Sequence, residues 1–292
     1  MSADRALLFR LATSSQLERI VTAVPAAQRR AWRAASRYVA GTTFGDAART
    51  ARALHEVGVG SSIDQFGELV HDASTAAAVA SDYLRLAADI AALPETVWLS
   101  VDLTHLGLDI EPQRCAEYLT AIAAALPVGR RIQVGAEDCS RTDAVLACIL
   151  TTAGHGQRDR LGATVQANLR RSPTDLDRLI DAGVHVRLVK GAYVEAADLS
   201  WPFGQATDIA YVQLAHRLAD AGSQFALATH DGVLQEALLA GLGPRSVEQL
   251  LGVQPARLDA LTARGIPTRV YIPFGDSWFR YWMRRVAESR GA

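Results

Sequence analysis

The stretch that decides the fold is residues 161–193, LGATVQANLRRSPTDLDRLIDAGVHVRLVKGAY. Leu161–Ala167 is a short apolar and β-branched run, Pro173–Ala182 has the spacing of an amphipathic helix, and Val184–Val189 is a second apolar run. A strand, a helix and a second strand in this order predict a βα unit whose two strands are parallel.

The same rhythm repeats over most of the chain after Gly41. Six further segments are predicted strands: Val57–Phe66, Val97–Leu103, Arg131–Ala136, Gln224–Ala228, Val247–Leu250 and Thr268–Ile272. Between them lie further predicted helices: Ser74–Leu93, Pro112–Leu126, Thr142–Thr152 and Thr207–Ala221. Eight strands of this kind close a barrel, so we predict an α/β fold, a TIM-like (β/α)8 barrel. A doubly wound sheet is the main alternative, but no strand precedes a G-x-G-x-x-G dinucleotide fingerprint.

The N-terminal part of the chain has a different pattern. From Met1 to about Thr43 it is helical in character and rich in Ala, Leu and Arg, with Trp32 and Tyr38 as apolar anchors. We therefore divide the chain into an N-terminal helical segment, residues 1–45, and a barrel, residues 46–292. A total of 292 residues suits one barrel-sized domain.

Composition and charge exclude several classes of function. The formal net charge of −1, with basic residues spread along the chain, predicts no nucleic-acid partner. No apolar run is long enough for a membrane span and no secretion signal begins the chain, so we expect a cytoplasmic protein. Cys115, Cys139 and Cys148 lack metal-ligand spacing, and we expect neither a metal site nor a disulfide framework.

Polar and aromatic residues follow most of the predicted strands. Active sites in β/α barrels lie at the carboxyl ends of the strands, so residues placed there are candidates for function. Any single one is also explained as an ordinary polar residue of the barrel rim, and it is their repeated placement that favours a site. They are Asp64, Asp102, Glu137, Gln166, Arg187, Lys190, Tyr193, His230 and Tyr271.

The segment Val186–Tyr193, VRLVKGAY, contains two cationic residues, Arg187 in a predicted strand and Lys190 just before the Gly-Ala turn that follows the strand. Burying Arg187 and Lys190 near a barrel mouth is costly unless an anion or an electron-rich ring compensates them. The segment therefore predicts a negatively charged ligand.

The C-terminal segment Arg269–Glu288, RVYIPFGDSWFRYWMRRVAE, ends a strand and begins the last helix. Arg284 and Glu288 are four residues apart, so Glu288 can orient the Arg284 guanidinium, and Arg285 stands beside it. A pair of oriented guanidiniums suits bidentate recognition of a carboxylate. A solvated basic helix face explains this segment equally well.

These two segments resemble the signature segments of the proline dehydrogenase family. Other stretches resemble that family in the same order along the chain: GSSIDQFGE (60–68), SVDLTHLGLDI (100–110), QANLRRSPTDLDRL (166–179), ATDIAY (206–211) and ATHD (228–231). The resemblance covers most of the chain from about Val57 onward. It implies a distorted eight-stranded barrel that binds FAD non-covalently and oxidises the ring C–N bond of L-proline to an imine by hydride transfer.

The resemblance also implies an electron acceptor and a role for each matched residue. Reduced flavin would pass its electrons to a membrane quinone, which leaves peripheral attachment to a membrane open. Arg187 would lie beside the reactive flavin nitrogen, and Gln166 would bind the flavin ring. The full cofactor set is Gln166, Arg187, Val189, Lys190, Gly191, Ala192, Thr229, His230 and Glu288.

The substrate side of the site follows from the same resemblance. Arg284 and Arg285 would bind the substrate carboxylate, and four residues would wall the pocket: Tyr193, Leu250, Tyr271 and Tyr281. The residues expected to act in catalysis are Arg187, Tyr271, Arg284 and Arg285.

Two departures from the family pattern fall inside this pocket. Asp102 stands where a lysine is usual, and Gly135 stands where an aspartate is usual, so the pocket becomes more negative by about one charge. We therefore expect a substrate with an extra amine, hydroxyl or N–N function that donates to Asp102. Two alternatives stay open: oxidation of proline itself, and a catalytically silent flavin-binding homologue. Asn168 and Val194 also replace a usual tyrosine and tryptophan.

Overall fold

The computed structural model describes residues 23–289, apart from the side chains of Arg280, Arg284 and residues 286–289. Eight parallel strands close into one barrel in which each strand pairs with the next along the chain and the last pairs with the first. The predicted (β/α)8 barrel is therefore confirmed. The strands are β1 Gly60–Gln65, β2 Val97–Val101, β3 Ile132–Val134, β4 Leu161–Gln166, β5 His185–Val189, β6 Phe225–Ala228, β7 Ser246–Leu250 and β8 Thr268–Phe274.

Helices alternate with the strands, and two of those within residues 23–289 precede the barrel. They are α1 Pro25–Ala35, α2 Phe44–Glu56, α3 Ala73–Asp89, α4 Pro112–Ala125, α5 Thr142–Thr152, α6 Ser172–Asp181, α7 Gln205–Asp220, α8 Gly232–Leu242, α9 Pro255–Ala263 and α10 Trp278–Ser289. The helical character predicted for the N-terminal segment is present in α1, while residues 1–22 lie outside the described part of the chain. Helix α2 spans the boundary predicted at residues 45–46, so the division into two segments stays a prediction.

Three local features differ from the sequence prediction. The first strand begins at Gly60 rather than at Val57, because α2 runs to Glu56 and Gly58 turns the chain with a φ of +79°. Helix α8 was not predicted, since most of its sequence is apolar and it lacks a clear polar face. Helix α9 was also missed, because its nine residues are too few for a periodic pattern to stand out.

The apolar core lies between the barrel and its helices, where leucine, isoleucine, valine and alanine side chains of both layers are buried together. A second, smaller apolar cluster joins α1 to α10, with Ala35 and Phe279 buried and the rings of Trp32 and Trp278 5.1 Å apart. The interior of the barrel differs from both, because several of its buried side chains are charged or polar. Such groups are retained in a barrel when they are paired or face a ligand.

Two negative findings concern the described residues. No helix in this part of the chain is long and apolar enough to cross a membrane. Residues 23–289 also contain no group of three or more His, Cys, Asp or Glu residues arranged to hold a metal ion. Cys115, Cys139 and Cys148 are free thiols.

Three histidines whose pKa values are lowered by burial, His105, His185 and His230, make the stability of the protein sensitive to acid. Burial lowers the pKa of His105 to about 4 and that of His185 to about 3, from an ordinary value of 6.5. Between pH 6.5 and pH 4 the unfolded chain therefore binds more protons than the folded chain. The free energy of unfolding should fall with decreasing pH in this window by about 1.4 kcal/mol per pH unit for each histidine.

This prediction is checked by urea unfolding at pH 7, 6 and 5. His105→Gln should reduce the slope of the free energy of unfolding against pH by the amount that corresponds to about one bound proton. The same change at the exposed His155 should leave this slope unaltered. Burial raises the pKa of Asp64 and Glu137, which opposes the effect, so the comparison between variants is the test. Equal slopes in the wild type and H105Q would contradict the assignment.

Candidate active site

Arg187 lies inside the barrel and is held by two other strands. Its Nε donates to Glu248 Oε2 on β7 at 2.5 Å, and its Nη2 donates to Ser62 Oγ on β1 at 3.1 Å. Burial alone would raise the pKa of Glu248, but Arg187 and Arg269 lower it below its ordinary value. Glu248 is therefore a charged partner for Arg187 across the barrel.

Tyr271 is joined to a second carboxylate inside the barrel. Its hydroxyl donates to Asp64 Oδ2 at 2.5 Å, and the Tyr83 hydroxyl donates to Asp64 Oδ1 at 2.9 Å. Burial raises the pKa of Asp64, although both hydroxyls and Arg187 act against the rise. Burial, together with the charges of Asp64 and Asp102, raises the pKa of Tyr271 well above 10. The Tyr271 hydroxyl thus keeps its proton at neutral pH and donates it in the hydrogen bond to Asp64.

Aromatic rings line the barrel mouth next to Tyr271. Its ring centroid is 6.2 Å from that of Tyr281 on α10, and Tyr281 is 5.1 Å from Phe66. The Arg285 guanidinium lies over the Tyr281 ring, 4.9 Å from its centroid. The last helix therefore brings one of the two predicted carboxylate-binding arginines to the aromatic wall.

His230 and Leu250 meet at the ends of neighbouring strands. The backbone N–H of Leu250 donates to His230 Nε2 at 3.1 Å, so the ring proton of the neutral histidine is on Nδ1. Burial, and to a smaller extent Arg285, lowers the pKa of His230 to about 4. Leu250 also pairs with Tyr271 in the β7–β8 register. The predicted pocket residues Leu250, Tyr271 and Tyr281 thus occupy one region with His230 and Arg285.

A second group surrounds the ends of β3 and β4. Gln166 Nε2 donates to the Glu137 carbonyl at 2.9 Å, and the Tyr193 hydroxyl donates to the Ala136 carbonyl at 3.1 Å. Asn168 is buried, and its Oδ1 has no hydrogen-bond partner. Because Gly191 has a φ of +113° and an added Cβ would lie 2.0 Å from Asn168 Oδ1, only glycine fits there.

The third group holds the lysine of the VRLVKGAY segment. Lys190 Nζ lies 2.6 Å from Asp208 Oδ1 and 2.7 Å from Asp231 Oδ2. Asp231 also caps α8 by accepting from the backbone N–H groups of Val233 and Leu234. The backbone N–H of Asp231 in turn donates to Thr229 Oγ1 at 3.1 Å. Lys190 is therefore surrounded by two carboxylates, and its predicted place beside a cofactor phosphate stays a prediction.

Asp102 and Gly135 are in direct contact. A Cβ added to Gly135 would lie 1.9 Å from Asp102 Oδ1, so the carboxylate occupies the space that a side chain at residue 135 would need. Asp102 is also close enough to raise the pKa of Tyr83 and Tyr271 by its charge. The two departures from the family pattern are thus linked, because the absence of a side chain at Gly135 leaves the space that the Asp102 carboxylate occupies.

The structure gives fewer contacts for the remaining predicted residues. Val189 is half-buried and pairs with Gln166 and Ala228, while Ala192 is exposed in the loop that follows β5. The side chains of Arg284 and Glu288 lie outside the described part of the structure, so their roles remain predictions.

Sequence reasoning missed the residues that hold the predicted ones in place. Glu248, Ser62 and Tyr83 were not among the candidates, although Glu248 lay in a strand predicted over Val247–Leu250. An acidic residue inside a buried strand needs a cationic partner, and that signal pointed toward Arg187. Ser62 and Tyr83 carried no comparable signal, because serines and tyrosines are common in any barrel.

The residues at the mouth fit a flavin. An isoalloxazine ring offers an N–H donor, carbonyl acceptors and, when reduced, a negative charge. Arg187 supplies a cation that is held by bonds from its Nε and Nη2 to Glu248 and Ser62. Asn168 Oδ1 is a buried acceptor that lacks a donor. Buried polar atoms of this kind call for a ligand or water.

Solved structures with this fold are known. The chain resembles proline utilization A (PutA) from Bdellovibrio bacteriovorus inactivated by N-propargylglycine, with a TM-score of 0.83 and 19% identity over 98% of this chain. PutA from Bradyrhizobium japonicum, in its D779W mutant, matches with a TM-score of 0.76 and 21% identity over 93% of this chain. The chain spans only 36% and 32% of those two proteins. The likeness places it in the class of TIM-like β/α barrels.

Sequence comparison narrows this class to one family. The sequence profile described as proline dehydrogenase matches residues 47–292. Proline dehydrogenase 1 of Bacillus subtilis is 31% identical over 87% of this chain and 86% of its own length. Proline dehydrogenase of Deinococcus radiodurans is 30% identical over 90% and 88%. The chain belongs to the proline dehydrogenase family.

Proposed function

We propose that the protein is an FAD-dependent dehydrogenase that oxidises the C–N bond of proline or a proline-like amino acid to an imine. The observation that carries the proposal is the buried Arg187, which Glu248 and Ser62 orient inside the barrel. The similarity to curated proline dehydrogenases supports the reaction class. When bound, FAD supplies the electron acceptor for a hydride from the carbon next to the substrate nitrogen.

The residues would bind the cofactor along the ends of β4, β5 and β6. Arg187 would stabilise negative charge on the reduced ring, and Gln166 and Asn168 would contact its polar edge. The segment from Val189 to Ala192 would follow the cofactor, with Thr229 and His230 toward its adenine and phosphate end and Glu288 toward the ribose. A neutral His230 suits this place, since its Nε2 accepts from a backbone N–H.

The substrate would lie between the cofactor and the rings of Tyr271 and Tyr281. Arg285, with Arg284, would hold its carboxylate, which converts binding energy into orientation of the reacting carbon. Because the Tyr271 hydroxyl donates its proton to Asp64, the lone pairs of its oxygen remain to accept from the substrate N–H. Such an acceptor orients the substrate nitrogen, and the lone pair of the amine in its neutral form assists departure of the hydride.

A divergent substrate is the second candidate, and the contact between Asp102 and Gly135 favours it. The carboxylates of Asp102 and Asp64 both act on Tyr271, so this side of the pocket is acidic. A substrate with a second hydrogen-bond donor, such as a hydroxyl or an additional nitrogen, could donate to the carboxylates on this side of the pocket.

The test is an anaerobic titration of the purified protein reconstituted with FAD. We expect a yellow protein whose flavin absorbance bleaches when L-proline or an analogue is added. Proline should be compared with hydroxyproline and with cyclic and linear amines that carry an N–N bond, and a soluble quinone should then restore the colour. A protein that takes up no FAD, or a flavin that no member of the panel reduces, would contradict the proposal.

Gly135→Ala should separate substrate recognition from stability. The new Cβ would displace the Asp102 carboxylate, which is the end of a side chain and can rotate, so the melting temperature should change little. We expect KM for the preferred substrate to rise about tenfold with kcat nearly unchanged, because a charge-assisted contact is lost.

Gly154→Ala is the matched control, since nothing lies within 4 Å of its added Cβ. Steady-state kinetics of both variants with a soluble electron acceptor provide the measurement. An unchanged KM in G135A would show that Asp102 does not shape the substrate pocket.

A further inference from the structure

We propose that Glu248 is a positioning residue whose carboxylate orients Arg187, offsets part of its charge and thereby sets the reduction potential of the bound flavin. The inference rests on the proposed function, which places FAD beside Arg187. It concerns a residue that contacts neither substrate nor cofactor directly and acts through Arg187.

The contacts fix the guanidinium in one orientation. Glu248 is only 4% exposed, and its Oε2 lies 2.5 Å from Arg187 Nε across the barrel from β7 to β5. Ser62 Oγ accepts from Nη2 at 3.1 Å. The Nε–H and one of the two Nη2 N–H groups are engaged, so Arg187 can direct its Nη1 N–H groups and the second Nη2 N–H to a ligand without breaking either bond.

Glu248 also faces a second arginine, so its charge is shared. Its Oε1 accepts no hydrogen bond and lies 3.8 Å from Arg269 Nε. Arg269 donates to the carbonyls of Ser61 and Thr96 and stacks on the Trp98 ring, 3.3 Å from its centroid. Arg187, Glu248 and Arg269 therefore form a buried row of alternating charge with a net charge of +1.

Through Arg187, the charge of Glu248 would influence the reduction potential of the flavin proposed to lie beside it. A cation beside a flavin stabilises the anionic reduced form and raises the reduction potential, and a neighbouring carboxylate offsets that effect. In the interior of a protein such charges are weakly screened, so one buried charge has a measurable influence. Removing the charge of Glu248 should make reduction of the flavin more favourable.

The experiment compares the midpoint potential of the flavin in the wild-type holoenzyme and in Glu248→Gln, by anaerobic equilibration with a reference dye. Glutamine keeps an oxygen that can accept from Arg187 Nε but removes the negative charge. We expect the equilibrium between reduced and oxidised flavin to shift at least tenfold toward the reduced form, which is about 30 mV for a two-electron couple. Glu236→Gln, an exposed carboxylate paired with Arg264 on the outer surface, is the matched control and should not move the potential.

Glu248→Asp keeps the proposal testable if the glutamine variant does not retain flavin. The shorter side chain keeps the charge but withdraws it from Arg187, so the potential should rise by less than in E248Q. An unchanged or lowered potential in E248Q, or in E248D where only that variant holds flavin, would overturn the inference. A wild-type protein that binds no flavin would instead contradict the proposed function.

Discussion

Replacing Arg187 with methionine is expected to lower the free energy of unfolding by about 3–5 kcal/mol, because Glu248 would stay buried without its nearest guanidinium. Methionine fills much of the same volume, so the loss would come from removing the nearer cation of Glu248, which keeps Arg269 at 3.8 Å, rather than from a cavity. Under the proposed function, flavin reduction by the substrate should fall by about 100-fold or more, since the cation proposed to stabilise the reduced ring would be absent. Urea unfolding and anaerobic stopped-flow reduction measure the two effects separately.

The matched control is Arg217→Met. Arg217 also makes a carboxylate pair, with Asp177, but both side chains are nearly half-exposed, so its loss should cost no more than about 1 kcal/mol. Adding Glu248→Gln to the Arg187 variant should recover part of the lost stability, because it removes a buried carboxylate whose remaining cation, Arg269, is 3.8 Å away. Equal destabilisation of R187M and R217M would contradict the view that burial makes this pair important.

Replacing Gly252 with alanine is expected to cost about 2–4 kcal/mol and to loosen the N-terminal helix from the barrel. Gly252 has a φ of +74°, and an added Cβ would lie 2.1 Å from the backbone carbonyl oxygen of Arg37. Backbone cannot rotate away as a side chain can, so the turn after α1 would have to move and would break the bond from Arg37 Nε to the Gly252 carbonyl. Urea unfolding followed by tryptophan fluorescence is the measurement, because Trp32 and Trp278 meet at the α1–α10 contact.

Gly265→Ala is a control with the same backbone conformation. Its φ is +77°, but nothing lies within 4 Å of the added Cβ, so only the cost of a left-handed alanine, about 1 kcal/mol, should appear. The difference between the losses in free energy of unfolding of G252A and G265A therefore measures the cost of the clash with Arg37. Similar losses in the two variants would show that the contact adds nothing to stability.

Much of the barrel follows from local patterns in the sequence. The runs at Leu161–Ala167 and Val184–Val189 became strands with bounds that differ from prediction by one residue at each changed end. The helices Pro112–Ala125 and Thr142–Thr152 were predicted with nearly the same bounds. Proline at the start of a helix and apolar periodicity are short-range signals, so they can be recognised without the fold.

The candidate site could be predicted only in part. Barrel logic predicted Arg187, His230 and Tyr271 at strand ends; in the structure His230 follows β6, whereas Arg187 and Tyr271 lie within β5 and β8 and bond to carboxylates inside the barrel. The partners of these residues were not predictable, because Glu248 is 61 residues from Arg187 and Asp64 is 207 residues from Tyr271. Without knowing which strands face each other, no sequence pattern identifies such pairs.

The order of strands and helices, the eight-unit barrel and the resemblance to proline dehydrogenases can be predicted without the fold, since they depend on residue type and spacing along the chain. Only the tertiary structure decided which charges neutralise each other inside the barrel and that Asp102 fills the space beside Gly135. The physical reason is that Coulombic and steric interactions depend on distance in space. Barrel closure sets those distances when it brings residues far apart in the chain across a common interior.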